Sequence, residues 1–256
     1  MYYFLLLFAY FLSRLPTTWC YALGRGLGTL VYYLLPIRRR VARENVDRVF
    51  GDTLSTQEKN RIVLESYHTL VTVGLETIRL RFVSKEELLQ SVDIHGSEHI
   101  DNAVQKKKGA IVVSGHFGNI VISGCAEAAR GVPVHVIAKN LNNKAAEKIY
   151  FDTIRKFGIT RISTRRSKNQ IVSAIEQGAA VYMVVDQHMP YHRGIVCEFF
   201  GQKASTSPAP VRFAQQTGAP IVPCRGAILS KQGRNELHYQ EEFALDTDKA
   251  TPQEVL

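Results

Sequence analysis

The amino-acid sequence predicts an α/β fold with a mostly parallel central sheet flanked by helices, preceded by an N-terminal apolar helical segment that associates with a membrane. Short β-branched runs alternate with helical stretches from about residue 91 onward, which is the pattern of βα units with parallel strands. The first 35 residues contain two strongly apolar runs, and a cluster of arginines follows them directly. These observations set both the fold class and the expected N-terminal segment.

The two apolar runs cover residues 2–12 and 19–35. Neither reaches the roughly 18–20 uninterrupted apolar residues typical of a spanning helix, and the first lacks the basic region and cleavage site of a signal peptide. Arginines at positions 38, 39, 40 and 43 come next. Such a segment is typical of an interfacial anchor on an anionic leaflet. A buried core helix, or one spanning helix with the arginines on the cytoplasmic side, are the alternatives.

Length and charge bound the rest. The 256 residues, 45% of them hydrophobic, are enough for one large α/β domain, and we expect an N-terminal segment at 1–50 and an α/β domain at 51–256. The net charge of +9 favours anionic partners, which include nucleic acid, phospholipid headgroups and phosphorylated ligands. The four cysteines are widely spaced, which indicates isolated thiols in a reducing, cytoplasmic setting.

Individual elements follow from capping and periodicity. Ser55 and Glu58 form a capping-box pattern before a helix with apolar positions at helical spacing. Further on we expect strands at 110–114, 134–138, 159–162, 179–185 and from 221, and helices at 119–130, 145–157, 168–177 and 208–216. Residues 251–256 read as a helix start, so we expect the natural chain to continue beyond Leu256.

Two polar side chains follow strands of this predicted sheet. The strand at 110–114 leads to His116, and the strand at 179–185 leads to Asp186. Because ligands bind beyond the carboxyl ends of parallel strands, we expect both residues at the same edge. Gly115 and Gly118 leave room around the imidazole, and a helix beginning near Asn119 would point free backbone N–H groups at an anion or oxyanion. This combination favours a catalytic histidine over a structural one.

Several segments together resemble one family. Residues 115–119 read Gly-His-Phe-Gly-Asn, residues 39–45 carry Arg-Arg-Val-Ala with Asn45, and residues 185–187 read Val-Asp-Gln. Later come Phe-Phe-Gly at 199–201 with Thr206 and Pro208, and Thr-Gly-Ala-Pro-Ile-Val-Pro at 217–223. In this order they resemble the late, or secondary, acyltransferases of lipid A biosynthesis, in the lysophospholipid acyltransferase superfamily. Near relatives of that family acylate mannosylated phosphoinositides.

The resemblance implies a membrane-associated O-acyltransferase on the cytoplasmic face of a bacterial inner membrane. It implies that His116 is the general base, which deprotonates a hydroxyl of a lipid A precursor or related glycolipid so that the hydroxyl attacks an acyl thioester. The donor would be acyl-carrier protein or acyl-CoA, and no metal or other cofactor is implied. A basic surface suits an acidic carrier protein and an anionic membrane, so nucleic acid, suggested by charge alone, is not an expected partner.

One position departs from the family pattern H-x-x-x-x-D/E, because the residue five after His116 is Val121. Three explanations stay open. A carboxylate from elsewhere replaces the missing one, with Asp186 the first candidate and Glu198 the second; the protein is a weak or inactive lipid-binding relative; or Val121 is an engineered or erroneous substitution. Glu127 is expected to be only an exposed helix residue.

A wider set of residues is predicted to bind substrate. Lys139 and Arg165 each follow a strand end and are suited to the phosphates of an anionic acceptor. The full predicted substrate-binding set is Gly118, Asn119, Lys139, Arg165, Gln187, Glu198, Gly201 and Thr206.

Overall fold

The computed structural model describes residues 1–35, 37–105, 109–229 and 234–243. Helices and strands alternate along most of this part of the chain. The helices are α1 (Tyr2–Arg14), α2 (Thr17–Leu34), α3 (Arg39–Phe50), α4 (Thr56–Arg79), α5 (Lys85–Gln90), α6 (Ser97–Gln105), α7 (Ile120–Ala129), α8 (Lys144–Phe157), α9 (Lys168–Glu176) and α10 (Ala209–Thr217). The strands are β1 (Val92–His95), β2 (Ala110–Ser114), β3 (Val134–Ala138), β4 (Thr160–Ser163), β5 (Ala180–Val184), β6 (Ile195–Phe199), β7 (Gln202–Thr206), β8 (Ile221–Leu229) and β9 (Asn235–Tyr239).

Residues Leu6–Phe82 form one compact helical unit. Its main contact is between α2 and α4, and two glycines one turn apart make that contact close. A Cβ on Gly24 would lie 2.9 Å from the Thr72 Cα, and a Cβ on Gly28 would lie 2.8 Å from the His68 Cα. Small residues four apart therefore let the two backbones approach each other, as they do in other tightly packed helix pairs.

Many large apolar side chains of this unit remain on its surface. They include Leu7, Phe11, Trp19, Leu30, Tyr33, Leu34, Leu35 and Ile37. Among the described residues, no helix combines the length and the apolar character that crossing a bilayer requires. The predicted association of the N-terminal segment with a membrane stays a prediction, as does the division at residue 50.

The other unit, Met1–Leu5 with residues from Val83 onward, contains a seven-stranded sheet in the order β1-β9-β8-β2-β5-β3-β4. Its pairs are parallel except for β8 with β9. On one face, β2, β5 and β8 pack against α9 and α10 through a buried aliphatic cluster that includes Ile111, Ile175, Val181 and Val211. The predicted α/β class with a mostly parallel sheet flanked by helices is confirmed.

Most predicted elements are confirmed, with β2 and β3 matching at both ends. The Ser55–Glu58 capping box begins α4 as expected. The described chain also contains elements that were not predicted: β1, the separate antiparallel β6–β7 pair, β9, and the short helices α5 and α6. The helix start expected at 251–256 lies outside the described residues.

Glu127 corrects a prediction about α7. It was expected to be exposed, yet its side chain is completely buried. Arg130 Nη1 donates to both carboxylate oxygens at 3.1 and 3.0 Å, and Arg130 Nη2 also reaches Asp101 Oδ2 at 2.6 Å. Burial raises the pKa of Glu127 to about 7, and the charge and hydrogen bonds of Arg130 limit the rise. The helical period turned this position inward although the residue is charged.

Glu127 gives a prediction about stability and pH. Its pKa is raised above the ordinary 4.5. Between pH 4.5 and about 7, the carboxyl group is therefore protonated in the folded state and ionised in the unfolded state. The associated stabilisation is present below that window and is lost as pH rises through it. We therefore expect the free energy of unfolding of the wild type, measured by urea titration, to exceed that of Glu127→Gln by more at pH 5 than at pH 8. An equal difference at both pH values would contradict the assignment.

Candidate active site

The register of two neighbouring strands places His116 and Asp186 side by side. β2 and β5 are parallel, and their last paired residues are Ser114 and Val184. The Val185 amide donates to the Ser114 carbonyl at 3.1 Å, which extends the pairing past the strand ends. His116 and Asp186 each lie two residues beyond this last pair, so the same sheet edge carries both. The expectation that they share an edge is confirmed.

Asp186 holds His116 at two points. The His116 ring Nδ1 and Asp186 Oδ1 are 2.8 Å apart, and the His116 backbone N–H donates to Asp186 Oδ2 at 2.7 Å. The two side chains are 49% and 39% exposed, so the pair opens to solvent. When the carboxylate is ionised it can only accept, so Nδ1 carries the proton and Nε2 is left with a lone pair. The arrangement therefore presents a basic nitrogen at the surface of the sheet edge.

Glycines allow this close approach. A Cβ on Gly115 would lie 2.7 Å from the Phe117 ring and 3.3 Å from Asp186 Oδ2. Gly118 has φ +56, a left-handed conformation that favours glycine. The Phe117 ring itself is largely exposed beside the histidine. The glycines on both sides of His116 thus serve backbone geometry, and Gly115 leaves room for the carboxylate.

Strand β8 supports the loop from the opposite side. A Cβ on Gly226 would lie 2.4 Å from the Phe117 carbonyl oxygen, so any larger residue would push the loop away. The Asn119 amide donates to the Ala227 carbonyl at 2.7 Å. Ser123 on α7 completes the connection, because its hydroxyl accepts from the Ala227 amide at 2.8 Å and donates to the Asn119 carbonyl at 3.2 Å.

Sequence reasoning missed both Gly226 and Ser123. A glycine inside an apolar strand signals a bulge or a close backbone approach, and β8 does change register between Arg225 and Ile228. That signal was present in the sequence at Gly226. The role of Ser123 carried no such signal, because a serine inside a helix more often bonds its own backbone.

The beginning of α7 differs from the expectation in one respect. The buried Asn119 side chain caps the helix, with Oδ1 accepting from the Val121 and Ile122 amides at 3.1 Å each. The prediction that the helix start offers free N–H groups is therefore wrong for these two amides, because the cap occupies them. Substrate binding by Asn119 stays a prediction.

The β6–β7 hairpin is joined to the end of β5. Thr206 Oγ1 donates to the Val185 carbonyl at 2.5 Å, immediately before Asp186. Gly201 lies in the turn of the hairpin with φ +69, and Glu198 is exposed on β6 opposite Lys203. The carboxylate that contacts His116 in the described structure is that of Asp186, the first of the two candidates.

The remaining predicted substrate-binding residues lie along the same edge. Lys139 directly follows β3 and Arg165 follows β4, two strands whose last paired residues are Ala138 and Ser163. Both cations are exposed, and so is Gln187 beside Asp186. Along the sheet the order is therefore His116, Asp186, Lys139 and Arg165. Their binding roles stay predictions.

An apolar cavity lies between the sheet and the helices α7 and α8. Ser114 and Val121, at the two ends of the segment that carries His116, both line it. The other lining residues are mainly apolar: Ile120, Ser123, Gly124, Val136, Ile137, Ala138, Tyr150, Ile154, Ile159, Tyr182, Val184 and Cys224. Val121 thus contributes to the wall of an apolar space in the position where the family pattern has a carboxylate.

Comparison with known proteins identifies relatives that match most of the chain. Residues 1–249 match the family described as bacterial lipid A biosynthesis acyltransferase. A lipid A biosynthesis lauroyltransferase of Escherichia coli K12 is 22% identical over 215 residues, or 82% of this chain and 68% of that protein. A lipid A biosynthesis acyltransferase of Haemophilus influenzae is 22% identical over 248 residues, or 96% and 76%. A phosphatidylinositol mannoside acyltransferase of Mycobacterium tuberculosis H37Rv is 22% identical over 186 residues, or 71% and 58%. The predicted family resemblance is confirmed.

Replacing Gly226 tests the support of the His116 segment. In Gly226→Ala the new methyl group meets the Phe117 carbonyl at 2.4 Å, and neither backbone can yield easily. We expect a loss of about 1–3 kcal/mol in the free energy of unfolding, as for other overpacked sites, and faster hydrogen exchange at the Asn119 amide.

The matched control is Gly74→Ala on α4, where a Cβ meets no atom within 4 Å. That change should be neutral or stabilising, because alanine is the better helix former. Equal effects of the two substitutions would refute the steric role of Gly226.

Proposed function

Since the chain belongs to the family of bacterial lipid A biosynthesis acyltransferases, we propose that it moves a fatty acyl chain from acyl-carrier protein, or from acyl-CoA, to a hydroxyl of a lipid A precursor or related glycolipid. The observation that carries this proposal is the double contact of Asp186 with His116, at 2.8 Å to the ring and 2.7 Å to the backbone. It supplies an oriented base at the carboxyl edge of a parallel sheet, where ligands bind in such folds.

In the proposed reaction, His116 Nε2 takes the proton of the acceptor hydroxyl as its oxygen attacks the thioester carbonyl carbon. The tetrahedral intermediate collapses with cleavage of the carbon–sulfur bond. The proton held by the imidazole passes to the leaving sulfur, which departs as a thiol, and the acyl chain remains on the acceptor as an ester. Base catalysis of this kind typically contributes about 10²–10⁴-fold in rate.

Asp186 has two tasks in this scheme. It fixes the tautomer by accepting the Nδ1 proton, and its negative charge stabilises the imidazolium formed when Nε2 is protonated. Its second oxygen holds the His116 backbone amide, so the ring and its main chain are fixed by one side chain. This supports the view that Asp186 replaces the carboxylate missing at Val121.

The substrates are assigned by the chemistry around the pair. Lys139 and Arg165 are exposed at the same edge and are suited to the phosphates of an anionic acceptor or donor. The apolar cavity that reaches Ser114 and Val121 has a volume of about 80 Å³, so we propose that it receives a short part of the acyl chain and not its whole length. These two environments, one cationic and one apolar, match the two halves of an acyl transfer to a phosphorylated lipid.

A membrane location accompanies this function. The helical unit Leu6–Phe82 exposes many aromatic and aliphatic side chains, and Arg38, Arg40 and Arg43 are exposed close to them in sequence. Apolar side chains followed by cations favour an anionic bilayer surface. We propose that the protein works on the cytoplasmic face of the bacterial inner membrane.

Two substitutions test the catalytic pair. In acyl transfer from acyl-carrier protein to a lipid A precursor, His116→Ala should lower kcat/KM about 10²–10⁴-fold, because the base is lost. Asp186→Asn should lower it about 10²-fold or more, because the charge that stabilises imidazolium is removed while the shape is kept. Steady-state kinetics measures both effects.

Two further variants separate the alternatives. Asp152→Asn, at a surface pair with Lys148 on α8, is the control and should leave kcat/KM close to wild type. If Glu198→Gln lowers kcat/KM as much as is expected for Asp186→Asn, then Glu198 is the carboxylate that supports His116. Wild-type turnover equal to that of His116→Ala would favour the inactive, lipid-binding relative instead.

Gly124 tests the acyl cavity. It lines the cavity on α7, and a Cβ there would lie 3.3 Å from Ile159 Cδ1. We expect Gly124→Ala and Gly124→Val to shorten progressively the longest acyl chain transferred, as measured by competition between acyl donors of different length. Ala129→Val, on the same helix but outside the cavity lining, should leave the preference unchanged. An unaltered chain-length profile in folded Gly124→Val would exclude the cavity as the acyl site.

A further inference from the structure

The tip of the β6–β7 hairpin exposes two adjacent aromatic rings. Phe199 pairs with Gln202, so the turn consists of Phe200 and Gly201, both with positive φ at +50 and +69. Phe199 and Phe200 are 64% and 61% exposed. Their rings contact each other edge to face, with ring centroids 4.6 Å apart. The largest apolar groups of the hairpin therefore lie at its outermost point.

Folding alone does not account for phenylalanine at position 200. Two-residue turns of this kind favour asparagine or aspartate before glycine, because those side chains tolerate the left-handed region. A bulky residue with positive φ is strained, and Phe200 is not compensated by burial. Strain that persists at an exposed position is a reason to look for a function.

The base of this hairpin is fixed beside the catalytic pair. Thr206 is bonded to the Val185 carbonyl next to Asp186, and the Met189 amide donates to the Ser205 carbonyl at 3.0 Å. Gly194 packs so closely that a Cβ would lie 2.8 Å from the Thr206 carbonyl oxygen. Strands of five residues span about 16 Å. The tip thus lies about 16 Å from the open end of the hairpin, and that end contacts the active site.

Charge indicates what the tip contacts. Residues 194–206 contain one glutamate and one lysine, Glu198 and Lys203, so the hairpin is formally neutral. Exposed cations lie at its base and along the adjoining sheet edge: Arg193, Lys139, Arg165 and Arg166. An apolar neutral tip with cations behind it complements a bilayer, whose acyl layer lies behind an anionic headgroup layer. An acidic protein partner would instead select a cationic tip.

We propose that Phe199 and Phe200 insert into the acyl–headgroup boundary of an anionic bilayer, forming a second membrane contact beside the catalytic pair and separate from the N-terminal helices. The contact holds the open edge with His116 and Asp186 close to the headgroups, so a lipid acceptor reaches the base without leaving the bilayer. This inference rests on the proposed membrane location, but not on acyl transfer.

A local fluorescence probe tests it in the 256-residue protein. Trp19 is the sole tryptophan, so Trp19→Phe combined with Phe200→Trp reports from the tip alone. With vesicles of phosphatidylcholine and phosphatidylglycerol, we expect a blue shift of emission and quenching by bromine on the acyl chains. Gln177→Trp in the same background is the control. It is exposed at the end of α9, close to the beginning of β5 and so at the opposite sheet edge, and should not be quenched.

The proposal would be overturned if the protein sediments with the vesicles but quenching at position 200 is no stronger than at position 177. It would also be overturned if the protein does not sediment with the vesicles. The double change Phe199→Ser with Phe200→Asn should weaken vesicle partitioning about tenfold or more. It should not lower the unfolding midpoint, because asparagine suits the turn, and unchanged partitioning would also count against insertion. None of these measurements depends on catalysis, so loss of the proposed enzymatic function would leave the result readable.

Discussion

The parallel register between β2 and β5 is the constraint on which the candidate active site depends. Ser114 opposite Val184 fixes where both strands end, and each functional side chain then lies two residues further along its chain. A slip of one residue would move Asp186 by about 3.3 Å along the strand and break a contact of 2.8 Å. Buried aliphatic side chains on β2 and β5 make such a slip costly, because it would exchange the side chains that face the two sides of the sheet and disrupt their packing.

The loop that carries His116 is also held by contacts with the backbone of β8. The loop that carries His116 passes over Gly226 without room for a methyl group, and its end is bonded to β8 through the Asn119 amide. The Asn119 side chain simultaneously caps α7. Strand, loop and helix are therefore connected through hydrogen bonds to main-chain groups, so the orientation of the imidazole depends on β8 and α7 as well as on Asp186.

Much of this fold could be predicted because its central strands are continuous apolar runs rich in β-branched residues. β2 and β3 matched their predicted bounds, and the meeting of His116 with Asp186 followed from parallel strand ends sharing one edge. β9 was not found because Leu237 is the only aliphatic residue of Asn235–Tyr239, and because the strand pairs in parallel with the distant β1. Glu127 was misjudged because a charged residue usually indicates solvent, whereas here Arg130 makes burial tolerable. The contact of Gly226 with Phe117 joins residues more than a hundred positions apart, and no local pattern fixes such a distance.

Val121 and Asp186 are physically related. Val121 contributes to a cavity whose other walls are mostly aliphatic and aromatic, and an ionised carboxylate in such surroundings would lose hydration with little return. The imidazole has one Nδ1 proton to donate. Asp186, at the solvent-exposed sheet edge, accepts it. With Asp186 at the strand end and Val121 on the helix, a charge beside the base and an apolar wall beneath it are supplied by two different elements.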